Sequence, residues 1–143
     1  MVCYDTPLTP GEPADYDWVL SQIAGLLAVV PRWVPVLISS QLPVGTTADL
    51  ERAHPGTMFA YSPENLRAIC AATDFVHQAR IVVGRRDDSY DLLWRTLFQP
   101  FTSKLIFTTP ETAELIKHTL NAWLGMNIAF INEVQQIADL VGA

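Results

Sequence analysis

Lys117 and Asn121 lie four residues apart in a segment whose composition is typical of a helix. Residues at this spacing share one helix face, with Cβ atoms about 6 Å apart. An ammonium and a carboxamide would therefore point toward the same neighbour. Such a pair can hold a hydroxyl group together with the water that takes its proton, which is the geometry that oxidation of an alcohol needs. On spacing alone, a solvated or interfacial polar pair is the favoured interpretation.

The element that carries this pair is predicted to be a long helix. Thr109 is a good N-cap, Pro110 suits the first helical position, and Glu111 favours the helix dipole. No helix breaker follows before Gly142, which gives about 33 residues and about 50 Å of helix. Apolar residues cover more than one stripe of its surface, so we expect further protein to bury it, and we predict a homodimer formed through this helix.

Upstream of the long helix, short apolar strands alternate with capped helices. The predicted strands are 35–39, 57–61, 80–84 and 104–108. The predicted helices run from Asp15 or Asp17 to Val30, from Thr46 or Thr47 to about Ala53, from Ser62-Pro63-Glu64 onward, and from Ser89 to Phe98. This alternation predicts a parallel, doubly wound sheet. Residues 1–7 resemble the last half of a buried strand, and we expect the chain to be a piece of something larger.

Polar or small residues followed by proline come at the ends of three predicted strands, at 5–7, 39–43 and 62–64. Ligands of such sheets bind outside the carboxyl ends of the strands. Any one of these segments is explained as an ordinary loop or cap. Three on one edge, together with Lys117 and Asn121, favour a binding crevice.

Composition excludes several classes of function. The net charge of −6 and pI near 4.8 argue against a nucleic-acid partner. The longest apolar stretch is too short to cross a bilayer, and no signal peptide is evident, so we expect a cytoplasmic protein without a membrane partner. Cys3 and Cys70 are expected to be reduced core residues. The three histidines show no ligand spacing, and no metal site is predicted.

The order and spacing of several motifs resemble the UDP-glucose/GDP-mannose dehydrogenase family. The motifs are DTP (5–7), ISSQLPVGTT (38–47), YSPENLR (61–67), DF (74–75), RIVVG (80–84), TAELIKHTLNAWL (112–124) and IAFINE (128–133). The resemblance implies a partial doubly wound parallel, Rossmann-like sheet followed by a long C-terminal α-helix. Residues 1–109 would be the second half of the N-terminal nucleotide-binding domain, and residues 110–143 the start of the central dimerisation helix.

This resemblance implies oxidation of the 6-hydroxyl of a nucleotide sugar to a carboxylate with two NAD molecules, through an aldehyde captured by a cysteine and a thioester that is hydrolysed. Lys117 and Asn121 match the residues that bind the sugar and stabilise oxyanions, and Glu64 matches the residue that helps to activate water. The other implied residues are those of the sugar pocket (Asn65 and Leu66) and those beside the nicotinamide ribose (Thr6, Pro7, Ser40 and Gln41).

The sequence also departs from the family pattern. Gln41 stands where a threonine is usual, Ala68 where many members carry a second glutamate, and Asn127 where a basic residue is common. No glycine-rich dinucleotide fingerprint occurs, and neither cysteine is in the context of the family's nucleophile. We therefore expect this chain alone to be inactive.

Two alternatives stay open. A β-hydroxyacid dehydrogenase relative also presents a lysine and an asparagine four residues apart on a long helix, and a panel of UDP-sugars, GDP-mannose and small hydroxy acids would separate the two enzymes. The non-enzymatic alternative is a module that only self-associates through the long helix. For Glu64, a helix N-terminal acid is the competing interpretation.

Overall fold

The computed structural model describes residues 1–66 and 68–143, so that Arg67, the last residue of the YSPENLR motif, lies outside the described residues. The elements follow one another in alternation, as the sequence predicts. They are α1 (Tyr16–Leu27), β1 (Val36–Ile38), α2 (Thr46–Ala53), β2 (Phe59–Tyr61), a 3₁₀ turn (Ala68–Cys70), α3 (Ala71–Val76), β3 (Ile81–Gly84), α4 (Asp91–Phe98), β4 (Leu105–Thr108) and α5 (Pro110–Val141).

The four strands form one sheet in the order β1-β2-β3-β4. β1 and β2 are parallel, as are β3 and β4, and Val2 extends the sheet through a parallel bridge to Ile38. The predicted Rossmann-like class is confirmed, with one difference: β2 and β3 meet antiparallel at Tyr61 and Gly84. A parallel connection needs a crossover packed on the sheet. The six-residue α3 buries none of its residues, and the chain returns in the opposite direction.

Two apolar clusters lie on the two faces of the sheet. On one face, Ile38 and Tyr61 pack in a cluster with Ile23 of α1. On the other, Leu37 and Ala60 pack in a cluster with Trp94 of α4. Neighbouring residues of a strand point to opposite faces, so the uninterrupted apolar strands β1 and β2 are covered on both sides. This sheet holds the loops at its carboxyl edge in place.

The caps agree with the sequence at α1 and α5. Asp15 caps α1, and Thr109 caps α5, whose chain leaves the helix at Gly142 with a φ of 72°. At α2 the prediction was wrong, since the N-cap is Gly45 with a φ of 97°. No helix begins at Ser62-Pro63-Glu64 either, since the Ser62 hydroxyl donates to the carbonyl of Val82, at 2.8 Å, and is held at the sheet.

The structure also tests the predictions about the cysteines, a metal site and a membrane span. Cys3 and Cys70 are free thiols, but both are exposed, so the prediction of core cysteines was wrong: Cys3 faces a cleft and Cys70 ends a surface turn. Within the described part of the chain, no three His, Cys, Asp or Glu side chains are close enough together to hold a metal ion. None of the described helices has both the length and the hydrophobicity for a membrane span.

Candidate active site

A cleft of about 760 Å³ opens at the carboxyl edge of the sheet. Because the first residues, β1 and β2 run parallel, the segments that follow them meet there. Each predicted polar segment contributes to the wall, as does α5. The lining residues from the predicted site are Thr6, Ser40, Gln41, Glu64, Leu66 and Lys117. The sheet topology thus brings together residues that are up to 111 positions apart (117 − 6).

Lys117 and Glu64 form the polar floor of one end of this cleft. The Lys117 ammonium donates to the backbone carbonyl of Glu64, and its Nζ lies 3.8 Å from Glu64 Oε2. The Lys117 side chain is 13% exposed, whereas that of Glu64 is 44% exposed. The Glu64 carboxylate also accepts from the backbone N–H of Leu66. An ammonium held in a partly desolvated position is suited to stabilising an oxyanion.

Asn121 lies one turn of α5 further along and reaches the loop after β1. Its Nδ2 donates to Gln41 Oε1 at 3.2 Å, while the Thr6 hydroxyl donates to the Gln41 backbone carbonyl at 2.9 Å. Gln41 is therefore held by its side chain and its backbone at once. Asn121 is exposed beside the cleft rather than part of its wall.

Ser40 supplies an unsatisfied polar atom in the cleft wall. It is 3% exposed, and its hydroxyl has no hydrogen-bond partner among the described residues. Buried polar groups are nearly always paired, so this hydroxyl can take a hydrogen bond from a polar ligand. The hydroxyls of a nucleotide ribose are of that kind, and the cleft therefore fits the predicted cofactor.

Besides Asn121, two of the predicted residues are not in the cleft wall. Pro7 lines a separate surface hollow together with residues up to Asp17. Asn65 lies in the adjoining groove with Ile116 and Leu120 of α5. The polar segment 5–7 and the YSPENLR motif each contribute to the cleft, but only through some of their residues.

Sequence reasoning missed two residues of the same helix face. Glu114 is fully buried and accepts hydrogen bonds from the backbone of Gly45 and Thr47, and His118 Nε2 lies 2.7 Å from the Leu42 carbonyl oxygen. The face Glu114, Lys117, His118 and Asn121 has helical spacing i, i+3, i+4 and i+7. A row of four polar residues on a mostly apolar helix was the available signal.

Two groups near the cleft have perturbed acidity. Burial raises the pKa of the Tyr61 hydroxyl, and the carboxylates of Glu114 and Glu64 raise it further. Partial burial at the cleft also raises the pKa of the Cys3 thiol. A thiol with a raised pKa is a poor nucleophile, in agreement with the expectation that Cys3 does not replace a catalytic cysteine.

The departures from the family pattern have different structural settings. Gln41 contacts Asn121 directly. Asn127 Nδ2 donates to the Trp123 carbonyl of its own helix at 2.6 Å, away from the cleft. Ala68 opens the turn before α3. Of Gln41 and Asn127, Gln41 is the one that the structure places in the site.

The four-stranded sheet, with helices on its faces and a long C-terminal helix, has the Rossmann-like fold of dehydrogenases. Residues 111–143 match the UDP-glucose/GDP-mannose dehydrogenase family, central domain. The whole chain is similar to the UDP-glucose 6-dehydrogenase of Rhizobium meliloti (strain 1021), with 34% identity over 99% of this chain and 35% of the relative. For UDP-glucose 6-dehydrogenase YwqF of Bacillus subtilis (strain 168) the figures are 33%, 99% and 34%.

Solved structures agree. The UDP-D-ManNAc dehydrogenase from Pyrococcus horikoshii superposes with a TM-score of 0.86 and 25% identity, over 99% of this chain and 36% of that one. The predicted resemblance to the UDP-glucose/GDP-mannose dehydrogenase family is therefore confirmed. The chain spans about a third of the length of the curated relatives that it matches.

Proposed function

We propose that this chain supplies part of the active site of an NAD-dependent nucleotide-sugar 6-dehydrogenase, which oxidises the sugar 6-hydroxyl to a carboxylate. The observation that carries the proposal is the meeting of Lys117, Glu64 and the Ser40–Gln41 loop at one cleft. These residues come from three separate elements, and together they offer a cation, a carboxylate and hydroxyl and amide groups. Similarity to enzymes named as UDP-glucose 6-dehydrogenases supports the substrate class.

Lys117 and Asn121 would orient the sugar. The Lys117 ammonium stabilises negative charge on the substrate oxygen as its proton leaves, because it is held nearly buried at the cleft. Asn121, whose second amide hydrogen and carbonyl oxygen are not used by Gln41, can hydrogen-bond the same hydroxyl or a neighbouring one. Glu64, whose Oε2 lies 3.8 Å from the ammonium nitrogen, can accept a proton from water in a hydrolytic step.

Thr6, Ser40 and Gln41 would hold the nicotinamide ribose, with Pro7 shaping the loop outside the cleft. NAD, when bound, would supply the hydride acceptor. The unpaired Ser40 hydroxyl beside the cleft is a candidate partner for a ribose hydroxyl. Since the sequence contains no glycine-rich phosphate loop, NAD affinity of this chain alone should be weak and its turnover absent.

Protection of the two cysteines from alkylation tests ligand binding directly. Cys3 lines the cleft, whereas Cys70 is exposed elsewhere and serves as an internal control. We expect millimolar NAD or UDP-glucose to slow alkylation of Cys3 severalfold while leaving Cys70 unchanged. Equal protection of both thiols, or of neither, would count against a nucleotide site in this cleft.

Exchange of the matching segment tests the reaction. The full chain replaces the corresponding segment of the Rhizobium meliloti enzyme, and NADH formation is followed with UDP-glucose, UDP-N-acetylhexosamines, GDP-mannose and small hydroxy acids. We expect two NADH for each nucleotide sugar. Turnover of a hydroxy acid alone would favour the β-hydroxyacid dehydrogenase alternative.

A further inference from the structure

Glu114 holds the loop after β1 against α5 with three hydrogen bonds. Its Oε1 accepts from the Thr47 backbone N–H at 2.9 Å and from the Thr47 hydroxyl at 2.6 Å, and its Oε2 accepts from the Gly45 backbone N–H at 2.6 Å. The carboxylate is fully buried. A carboxylate only accepts hydrogen bonds, so it can pair with all three donors.

The local backbone is built for this contact. Gly45 has a φ of 97°, in the left-handed region where a side chain would be strained. It is the N-cap of α2 and provides no capping side chain. Glu114, which is 69 residues away from Gly45 in sequence, accepts the N–H groups at this helix N-terminus, where the helix dipole favours a negative charge.

The same helix face continues to the site. His118, one turn beyond Glu114, bonds the Leu42 carbonyl, and Asn121 bonds the Gln41 side chain. Lys117 lies between them and bonds Glu64. Among these contacts, the bonds between Glu114 and Thr47 are the most buried. They therefore constrain how the loop and the helix are placed relative to each other.

We propose that Glu114 is a positioning residue, which fixes the cofactor loop 40–47 relative to the sugar-binding pair Lys117 and Asn121. This role rests on the proposed function of that pair. Glu114 does not line the cleft, so this role is one of position and not of contact with the reacting atoms. Its effect is to keep Gln41 within hydrogen-bond distance of Asn121.

The chain offers a matched pair of variants for the test. Thr47→Val removes the hydroxyl that donates to Glu114, whereas Thr46→Val removes the neighbouring hydroxyl, which donates to the Pro43 carbonyl at 2.7 Å. Glu114→Gln is the stronger change, since its amide would oppose backbone donors. Thr47→Val retains both backbone bonds to Glu114 and keeps the test valid if Glu114→Gln does not fold.

The first readout is NMR of the full chain without ligand. In Thr47→Val we expect amide exchange at Gly45 to rise roughly tenfold, and the side-chain amide signals of Asn121 and Gln41 to shift. In Thr46→Val both should stay as in the wild type. Identical effects of the two variants, or unchanged Asn121 and Gln41 signals in Glu114→Gln, would overturn the positioning role.

The second readout is kinetics of the segment-exchanged enzyme. Glu114→Gln should raise KM for NAD and lower kcat about tenfold or more. Thr96→Val, which removes an exposed hydroxyl bonded to the Leu92 carbonyl within α4, should leave both unchanged. An unaltered KM and kcat in a folded Glu114→Gln enzyme would overturn the proposal. If the wild-type exchange has no activity, the proposed function fails, and the ligand-free NMR still decides the role of Glu114.

Discussion

The two halves of α5 differ in what they contact. From Pro110 to Asn121, one face of the helix bonds two loops, those after β1 and β2, and Glu114 is entirely buried. Beyond Asn121 the same helix is exposed almost throughout, although it remains rich in large apolar residues: Trp123 is 54% exposed and Phe130 64% exposed. Helix formation is equally regular in both halves.

The two halves of α5 therefore have different roles. In the first half, polar residues at helical spacing organise the loops of a cleft. In the second half, large apolar side chains lie exposed along the helix, and contiguous exposed apolar surface marks sites of protein–protein contact. We infer that the first half serves the site and that the second half serves contact with more protein. Four experiments test this division.

The largest effect is expected from Lys117→Ala in the segment-exchanged enzyme. Loss of a preorganised charge that stabilises an oxyanion lowers kcat by about 10²–10³. Lys104→Ala is the matched control, because Lys104 is the other lysine of the chain and is exposed at the start of β4. Steady-state NADH formation measures both.

Equal activity of Lys117→Ala and Lys104→Ala would remove Lys117 from the reaction. Asn121→Ala then becomes the informative variant, since it leaves the charge in place and removes the hydrogen bond to Gln41.

The exposed half of α5 is tested by self-association. We expect the wild-type chain to form dimers at micromolar concentration and Phe130→Glu/Ile131→Glu to weaken the dimer at least about a hundredfold, because burial of each side chain contributes about 1.5–3 kcal/mol. Sedimentation velocity measures the change. A monomeric wild-type chain would contradict the inference. Thr119→Glu is the control, on an exposed position of the first half.

Substitution of two glycines compares how tightly the two halves of α5 are packed. Gly84 of β3 faces the first half, and Gly125 lies in the second half. An added Cβ at Gly84 would lie 2.6 Å from Pro110 Cα and 2.8 Å from Ala113 Cβ, whereas Gly125 has nothing within 4 Å. Gly84→Ala should therefore lower the free energy of unfolding by about 1–3 kcal/mol, and Gly125→Ala should raise it by about 0.5–1 kcal/mol. Urea unfolding measures both. A neutral Gly84→Ala would mean that the start of α5 is not tightly packed on β3.

Much of the fold followed from local signals. Period and capping residues predicted the strands and α5, because Thr109, Pro110 and Gly142 each act within one turn of the helix end. The meeting of polar loops at one sheet edge also followed, since parallel strands place their carboxyl ends together. The antiparallel step between β2 and β3 did not, because it depends on whether α3 packs on the sheet.

The site was predicted less completely than the fold. Lys117 and Asn121 were singled out by their spacing together with the family resemblance. The role of Glu114 depends on the backbone N–H groups of Gly45 and Thr47, which no residue type encodes. Ser62 resembled a helix cap and instead bonds Val82 across the sheet. Such contacts arise from residues distant in sequence, so a local pattern does not contain them.

The smallest expected effect is a pH dependence of the free energy of unfolding that arises at the start of α5. Arg86 bonds the carboxylates of Glu111 and Glu51, and its hydrogen bond lowers the pKa of Glu111 below the ordinary 4.5. A carboxylate with a lowered folded-state pKa adds stability above pH 4.5, and this is lost as pH falls through the lowered pKa.

Because the Glu111 side chain is 37% exposed, solvent screens the pair and the contribution is about 0.5 kcal/mol or less. Urea unfolding at several pH values should show a shallower loss of stability on acidification for Glu111→Gln than for the wild type. High salt should reduce that difference. Glu133→Gln, in the exposed half of α5, should retain the wild-type slope. If Glu133→Gln changed the slope as much as Glu111→Gln does, the two halves would not differ in their electrostatic ties to the rest of the chain.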